Sequence, residues 1–370
     1  MRLNDKLKLY LRLDWLLVGA MLTLAVMGVF AIYTASYRGD DQPVPTFYLW
    51  QMRWIALGLV VFLVAVWVDY DWLCRWSWLI FAAVLGLLIL VLLIGKIAYG
   101  ARSWFGIGGR GVQPSELAKL AVALLVAFYL SRRSREVENF STMIGCLLLI
   151  AVPAVLVLAQ PDFGSAAVLF PMTLAMMFVA GVRLRYFVLL GIILLALAPV
   201  GWLLLHDYQQ ERLLVFLNPD RDPLHRGWNY HQSLIAVGSG GWDGKGWLSG
   251  TQNVLGYLPK TVAPNDFIFS VIAEETGFLG GLVVLGLYGV ILFEGIRIAG
   301  NARDKLGMIL ATGLVAMLFT HIFQNIGMTI GLVPITGLPL PLLSYGGSFM
   351  ILVMASLGLL QNIYVRRNQY

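Results

Sequence analysis

Leu258-Pro-Lys-Thr-Val-Ala-Pro-Asn-Asp-Phe-Ile-Phe-Ser-Val-Ile-Ala-Glu-Glu275 marks the place where a long polar segment gives way to an apolar run. One carboxylate, Asp266, stands at the junction, with Phe267, Ile268 and Phe269 behind it. At the mouth of an apolar bundle a carboxylate is partly desolvated, which raises its pKa toward the range of a general base. Level with lipid headgroups, it is also placed to act on a lipid-linked substrate. Asp is equally a preferred helix N-cap, and a capping residue needs no other role. Both readings stand here, and both make this stretch the entry to a membrane span.

The rest of the chain agrees with a membrane setting. Of 370 residues 59% are hydrophobic and only 12% charged, with a mean hydropathy of +0.80. A soluble domain carries about 25% charged residues, so the composition defines a polytopic membrane protein. Apolar runs long enough to cross a bilayer fall at 15–35, 48–68, 73–94, 114–131, 141–159, 164–181, 186–205, 267–296, 306–331 and 345–365. The expected fold is therefore all-α, with ten transmembrane helices in one integral membrane domain spanning 1–370. The first run is too long for a signal-peptide core.

Charge sets the expected orientation. Arg2, Lys6, Lys8, Arg12, the Arg132–Arg135 cluster, Arg183, Arg185, Arg297, Arg303, Lys305, Arg366 and Arg367 fall on one side. By the positive-inside rule that side and both termini are cytoplasmic, and the loop 206–266, between spans 7 and 8, faces outward. The net charge of +6 is distributed in these inter-span clusters, so it points to lipid headgroups and not to nucleic acid. Within the loop, 208–217 suggests a short surface helix stopped by Asn218-Pro219, and the Trp and Tyr content favours order. Cys74 and Cys146 are far apart, and the four histidines lack metal-ligand spacing, so no disulfide framework or transition-metal site is expected.

Two glycine patterns carry no nucleotide site. Gly106-Ile-Gly-Gly-Arg-Gly111 fits the dinucleotide fingerprint but follows a membrane span, and Gly244-Lys245 lacks the rest of a P-loop. Both loops could offer backbone N–H groups to phosphate, together with Arg102, Arg110 and Lys245. Glu116 and Lys119, three apart in Gln113-Pro-Ser-Glu-Leu-Ala-Lys119, share a helix face at the edge of the apolar zone. Charges there pair with each other or face a cavity, so the pair is structural or substrate-facing. Arg53 needs an acidic or phosphate partner for the same reason. Asp162, in Gln160-Pro-Asp-Phe-Gly164, is a helix start or a further site carboxylate. Glu274 and Glu275 lie about 80° and 180° around the helix from Asp266 at 100° per residue, making Glu274 the likelier support for it. In the proline-rich run Pro334–Ser348, Ser344 and Tyr345 are candidates to bring hydroxyls to a cavity, since irregular backbone at this depth must be buried or line one.

These stretches together resemble the SEDS family (shape, elongation, division and sporulation), which includes RodA, FtsW and SpoVE. The resemblance is carried by Gln113–Lys119, Gln160–Gly164, Ala236-Val-Gly-Ser-Gly-Gly241, Gly244-Lys-Gly246, Gly250-Thr-Gln252, Asp266-Phe-Ile-Phe269, Ala273-Glu-Glu275 and Pro339–Ser348, in family order over most of the chain. His206-Asp-Tyr-Gln209 and Asn218-Pro look most like the RodA branch. The resemblance implies a peptidoglycan glycosyltransferase that polymerises lipid II at the outer face of the cytoplasmic membrane during cell-wall elongation. It also implies a class B penicillin-binding protein as transpeptidase partner within the elongation machinery. The family's essential Asp falls on Asp266, and its functional Glu and Lys on Glu116 and Lys119. Lys119, Arg212, Lys245 and Arg53 are then candidate diphosphate ligands, and a divalent cation (Mg or Mn) is an expected helper. A departure sits beside Asp266. About two residues are inserted, Lys260 replaces Glu, and Pro264-Asn265 replaces His-Thr. A lipid II flippase and a non-catalytic activator of a transpeptidase are the alternatives. The charges gathered in the outer half, instead of along a path through the bilayer centre, favour the enzyme.

Overall fold

The computed structural model describes residues 10, 12–37, 39, 44, 46–98, 101–107, 110–205, 207–222, 226–259 and 262–368. In chain order the helices are α1 (Trp15–Ser36), α2 (Phe47–Trp67), α3 (Tyr70–Arg75), α4 (Ser77–Ile94), α5 (Pro114–Arg132), α6 (Phe140–Leu158), α7 (Phe163–Ala180), α8 (Leu184–Leu204), α9 (Asp207–Leu217), α10 (Arg226–Ser239), α11 (Thr251–Val254), α12 (Ile268–Gly300), α13 (Lys305–Thr329) and α14 (Gly347–Arg366). Ten of them are long and apolar enough to cross a membrane: all but α3, α9, α10 and α11. The expected fold class holds, with each span close to its sequence-derived bounds.

Local chemistry sets the helix starts. Asp14 accepts from the backbone N–H of Leu16 and Leu17 at 3.1 Å each, Asp162 from Ser165 at 3.0 Å, and Asp304 from Gly307 at 2.7 Å. Each satisfies N–H groups that the first helical turn leaves unpaired. The core is built around α14, buried along nearly its whole length. Small residues allow close approach in place of a hydrophobic driving force, as lipid is as apolar as the core. Gly58 faces Met354, Gly358 faces the backbone of Phe62, and Gly313 faces Met176.

Two departures from a plain bundle position the site. Between α4 and α5 the chain forms an antiparallel sheet, β1 (Lys96–Ala98), β2 (Ala101–Ile107) and β3 (Arg110–Val112), in the order β1-β2-β3. Gly106 and Gly111 of the fingerprint-like pattern thus face each other across an antiparallel pair in which Phe105 pairs with Val112. A βαβ unit would be needed for nucleotide binding, and an antiparallel pair is not one. The second departure is the segment between α13 and α14. It dips into the bundle with Leu338, Leu340, Leu342 and Leu343 buried, its backbone against Gly28. The Gln51 amide donates to the Ser344 carbonyl at 3.1 Å and accepts from the Gly346 N–H at 3.4 Å, serving irregular backbone that lipid could not.

Helix α12 is broken. Gly277 has φ 66° and ψ −163°, outside helical space, and the break is filled by the glycine-rich loop from the 206–266 segment. The carbonyls of Glu274 and Glu275 accept from the N–H groups of Lys245 and Gly246 at 3.0 Å each. On the far side, Phe278 and Leu279 donate to the carbonyls of Gly241 and Trp242 at 2.8 and 3.2 Å. Four backbone groups on the two sides of the break thus find partners in the loop. The loop is otherwise ordered as its composition suggests: α10 packs on α12 and α13, and Ser233 bridges Ser270 and the Thr329 carbonyl at 2.8 and 2.9 Å. By contrast, no residue from Leu184 to Leu203 in α8 is buried, so this span stands away from the core.

Candidate active site

Asp266 is not a helix cap. The cap position of α12 is Phe267, and no side chain caps that end. The Asp266 backbone is held on all sides instead. Its N–H donates to the Val262 carbonyl at 2.8 Å, and its carbonyl accepts from the Asn325 amide of α13 at 3.0 Å. Just before it, Ser344 donates its hydroxyl to the Asn265 carbonyl, and the Tyr345 N–H donates to the Pro264 carbonyl at 2.9 Å. Pro264-Asn265, a departure from the family pattern, is therefore the strip of backbone by which the last loop grips the aspartate.

The carboxylate faces the backbone of Gly337, whose φ of +75° places it close by, and opens into a cavity of about 240 Å³. Gln113, Glu116, Asp162, Arg212, Tyr345 and Ser348 also line this cavity. Desolvation pushes the Asp266 pKa up to about 6, and the Arg212 guanidinium opposes the rise. The group is thus a carboxylate at neutral pH with the proton affinity of a moderate base.

Glu116 and Lys119 form the buried pair their spacing suggests, with Lys119 Nζ at 2.9 and 3.0 Å from the two Glu116 oxygens. Glu116 reaches the cavity wall, whereas Lys119 is fully buried behind it. The third contact of the ammonium is His321 Nε2 at 3.1 Å, and His321 Nδ1 lies 3.2 Å from the Pro339 carbonyl. Asp162 caps a helix and also lines the cavity. One oxygen caps α7, and the other accepts from Gln113 Nε2 at 2.7 Å and Ser115 Oγ at 3.1 Å.

Other expected site residues lie elsewhere. Lys245 is drawn to Glu274 at 2.6 Å, outside the Asp266 cavity, because that buried carboxylate needs a counter-charge where the loop enters α12. Glu274 therefore supports the loop and does not support Asp266. Arg53 is exposed, with its guanidinium 4.3 Å from the Trp50 ring centroid in a cation–π contact. Ser344 is buried, and its hydroxyl binds backbone on both sides, donating to Asn265 and accepting from the Leu340 N–H at 2.8 Å, so it shapes the wall without lining it. The side chains of Arg102 and Arg110, and residues His206, 223–225 and Lys260, lie outside the described residues. His321 and Asn325 were missed as site residues, although polar side chains four apart inside a membrane span are themselves a signal.

A second, mostly apolar cavity of about 160 Å³ adjoins the first. Arg212, Phe163 and Thr336 line both, and Leu205 and Leu213 extend the second toward the end of α8. A polar chamber, a guanidinium at its boundary and an apolar chamber beyond match the headgroup, phosphate and tail of a lipid. Among the described residues, no three His, Cys, Asp or Glu side chains come close enough to hold a metal ion. Both Asp162 oxygens and both Glu116 oxygens take part in hydrogen bonds within the chain.

Ten spans, a broken helix and a cavity lined by a carboxylate and a guanidinium define a polytopic membrane protein with one candidate site. The model of the FtsW/RodA/SpoVE cell cycle protein family matches residues 14–369, and the chain belongs to that family. It is 38% identical over 356 residues to the peptidoglycan glycosyltransferase MrdB of Escherichia coli K12, covering 96% of this chain and 94% of the relative. Among solved structures it is similar to a chain of a peptidoglycan synthase complex that coordinates polymerisation and crosslinking. That match has a TM-score of 0.81 and 32% identity, over 97% of this chain and 99% of the other. The rod shape determining protein RodA of Thermus thermophilus matches with a TM-score of 0.72 and 30% identity, covering 97% and 98%.

Proposed function

We infer that this chain is a peptidoglycan glycosyltransferase that extends glycan strands from lipid II at the outer face of the cytoplasmic membrane during elongation. The observation that carries the reading is Asp266. Its carboxylate is spent on no cap, its pKa is raised to about 6, and Arg212 faces it in one cavity.

Asp266 takes the proton from the 4-hydroxyl of the acceptor sugar as that oxygen attacks the anomeric carbon of the donor chain. The new C–O bond forms as the bond from the anomeric carbon to the diphosphate oxygen breaks, with inversion, and the polyprenyl diphosphate leaves. Arg212, at the boundary of the two cavities, holds the leaving diphosphate. The cavity toward α8 takes the first isoprenoid units, and the polar cavity takes the sugars. Holding donor and acceptor in register supplies much of the acceleration, and the guanidinium offsets charge developing on the leaving group. A divalent cation would ride on the diphosphate with protein carboxylates in a minor role, a mode Mg²⁺ commonly adopts, and would add leaving-group stabilisation.

The partner is a transpeptidase of the class B penicillin-binding type. This is supported by the solved complex whose description joins polymerisation to crosslinking. The deciding experiment incubates purified protein and its transpeptidase with labelled lipid II, with and without Asp266→Ala. Loss of polymer by about 10²–10⁴-fold is expected on removing a general base. Undiminished glycan from the variant would remove Asp266 from this role.

A further inference from the structure

Two polar side chains in α13, His321 and Asn325, are four residues apart and therefore on one face, about 6 Å along the axis. Both are buried, at 1% and 0% exposure, inside a span where polar groups are costly. Their hydrogen bonds converge on one object. Asn325 Nδ2 donates to the Asp266 carbonyl at 3.0 Å and to the Leu338 carbonyl at 2.7 Å. Among the described residues its Oδ1 accepts no hydrogen bond, so the bonds this amide makes are all donations. His321 contacts the Pro339 carbonyl with Nδ1 at 3.2 Å and Lys119 with Nε2 at 3.1 Å. An ammonium only donates, so Nε2 is the acceptor, and the ring proton sits on Nδ1 and points at Pro339. The ring is also fixed against Phe349, with centroids 4.6 Å apart, and Phe349 lines the Asp266 cavity.

We propose that Asn325 and His321 are positioning residues that hold Asp266 and the Glu116–Lys119 pair at a set separation through the backbone of residues 337–339. Asn325 ties the aspartate to Leu338; His321 ties the next residue, Pro339, to the pair on α5. Gly337, against the Asp266 carboxylate, is the near end of the same strip. The helix works as a caliper whose two jaws are one turn apart. Neither residue lines the cavity, so neither touches substrate.

This rests on the glycosyltransferase reading, and Asp266→Ala in the same assay separates the two. Polymer from Asp266→Ala would overturn the base itself. An inactive Asp266→Ala beside an unaffected Asn325 variant would overturn only the caliper. Asn325→Leu keeps the volume and removes both donors. A displacement near 1 Å lowers kcat by about 10²-fold with little change in KM. The acid limb of the pH–rate profile, set by Asp266 among Arg212, Asp162 and Glu116, moves downward as the loosened carboxylate hydrates. A merely structural amide would lower the melting temperature and leave kcat and the acid limb in place below it; that result overturns the proposal. Should Asn325→Leu fail to fold, His321 decides. Asn places its amide nitrogen near Nδ1 and keeps only the Pro339 bond, whereas Gln reaches toward Lys119 and keeps only that contact. Each cuts the tie, so His321→Asn and His321→Gln are both expected to lower kcat by about tenfold or more with little change in KM, on the same sensitivity to placement. A wild-type kcat in either folded variant refutes the caliper.

Discussion

The ammonium of Lys245 lies 2.6 Å from the Glu274 carboxylate, and the backbone N–H of the same lysine donates to the carbonyl of the same glutamate at 3.0 Å. One residue of the loop thus satisfies both the charge and the backbone of one residue in a broken membrane helix. Thr251 Oγ1 and the Gln252 N–H donate to the same Glu274 oxygen, Oε1, at 3.1 and 3.0 Å, and Oε2 accepts no hydrogen bond among the described residues.

This assigns Lys245 to stability instead of diphosphate binding. Lys245→Ala leaves a buried carboxylate short of its counter-charge, which typically costs about 3–5 kcal/mol. The expected outcome is a clear fall in melting temperature with an unchanged KM for lipid II in whatever fraction remains folded. Glu274→Gln combined with Lys245→Met should recover much of the loss. A raised KM at normal stability would return Lys245 to the substrate site.

Gly277 cannot carry a side chain. Its φ is +66°, and a Cβ there would meet the Gly244 nitrogen and the Trp242 carbonyl. Gly277→Ala should therefore destabilise the fold by at least about 1–3 kcal/mol through backbone strain alone. Circular dichroism melts in detergent would register it. Gly289 lies in the same helix with open space around it, so Gly289→Ala serves as the neutral comparison.

The raised pKa of Asp266 gives two pH signatures of opposite kind. Catalysis needs the carboxylate, so kcat/KM should fall tenfold per pH unit below about 6. For stability, the folded state holds this proton more tightly than the unfolded chain, whose value is near 3.8. Stability from this group is full below 3.8 and is lost as pH rises through about 6. Asp266→Asn should therefore melt higher than wild type at pH 8, and the difference should shrink as pH is lowered toward 4. A lower melting temperature at pH 8 would contradict the desolvation that raises this pKa.

Arg212 holds that pKa down. Arg212→Gln should move the acid limb of the rate profile to higher pH and raise KM for lipid II by about 10-fold or more, as a charge-assisted phosphate contact worth about 1.5–3 kcal/mol is lost. Arg212→Lys should restore the limb more fully than the KM, since charge is kept and the planar fork is not.

Much of this was legible in the residues. Span number and approximate bounds follow from apolar runs, because a bilayer enforces length and hydropathy wherever it is crossed. Asp266 was singled out by its isolation, and Glu116–Lys119 by helical spacing, since both signals are local. The roles of Lys245 and Ser344 were not, because each depends on a partner far along the chain, Glu274 and the Asn265 carbonyl, and that of Arg53 was not, because it depends on how the Trp50 ring is turned. The break at Gly277 gives no sign in its own run, which reads as one long span. Only the loop Gly241–Gly246, more than 30 residues earlier, explains how its backbone is satisfied.

The sequence by itself determined that this is a ten-span membrane protein with a lone carboxylate at a span entrance, because periodicity, hydropathy and charge act within short windows. Tertiary structure alone decided that Asp266 is a cavity residue and not a cap. The backbone turn that puts Phe267 at the cap position is held by hydrogen bonds from Asn325, Ser344 and Tyr345, residues 59 to 81 positions away that no local pattern connects.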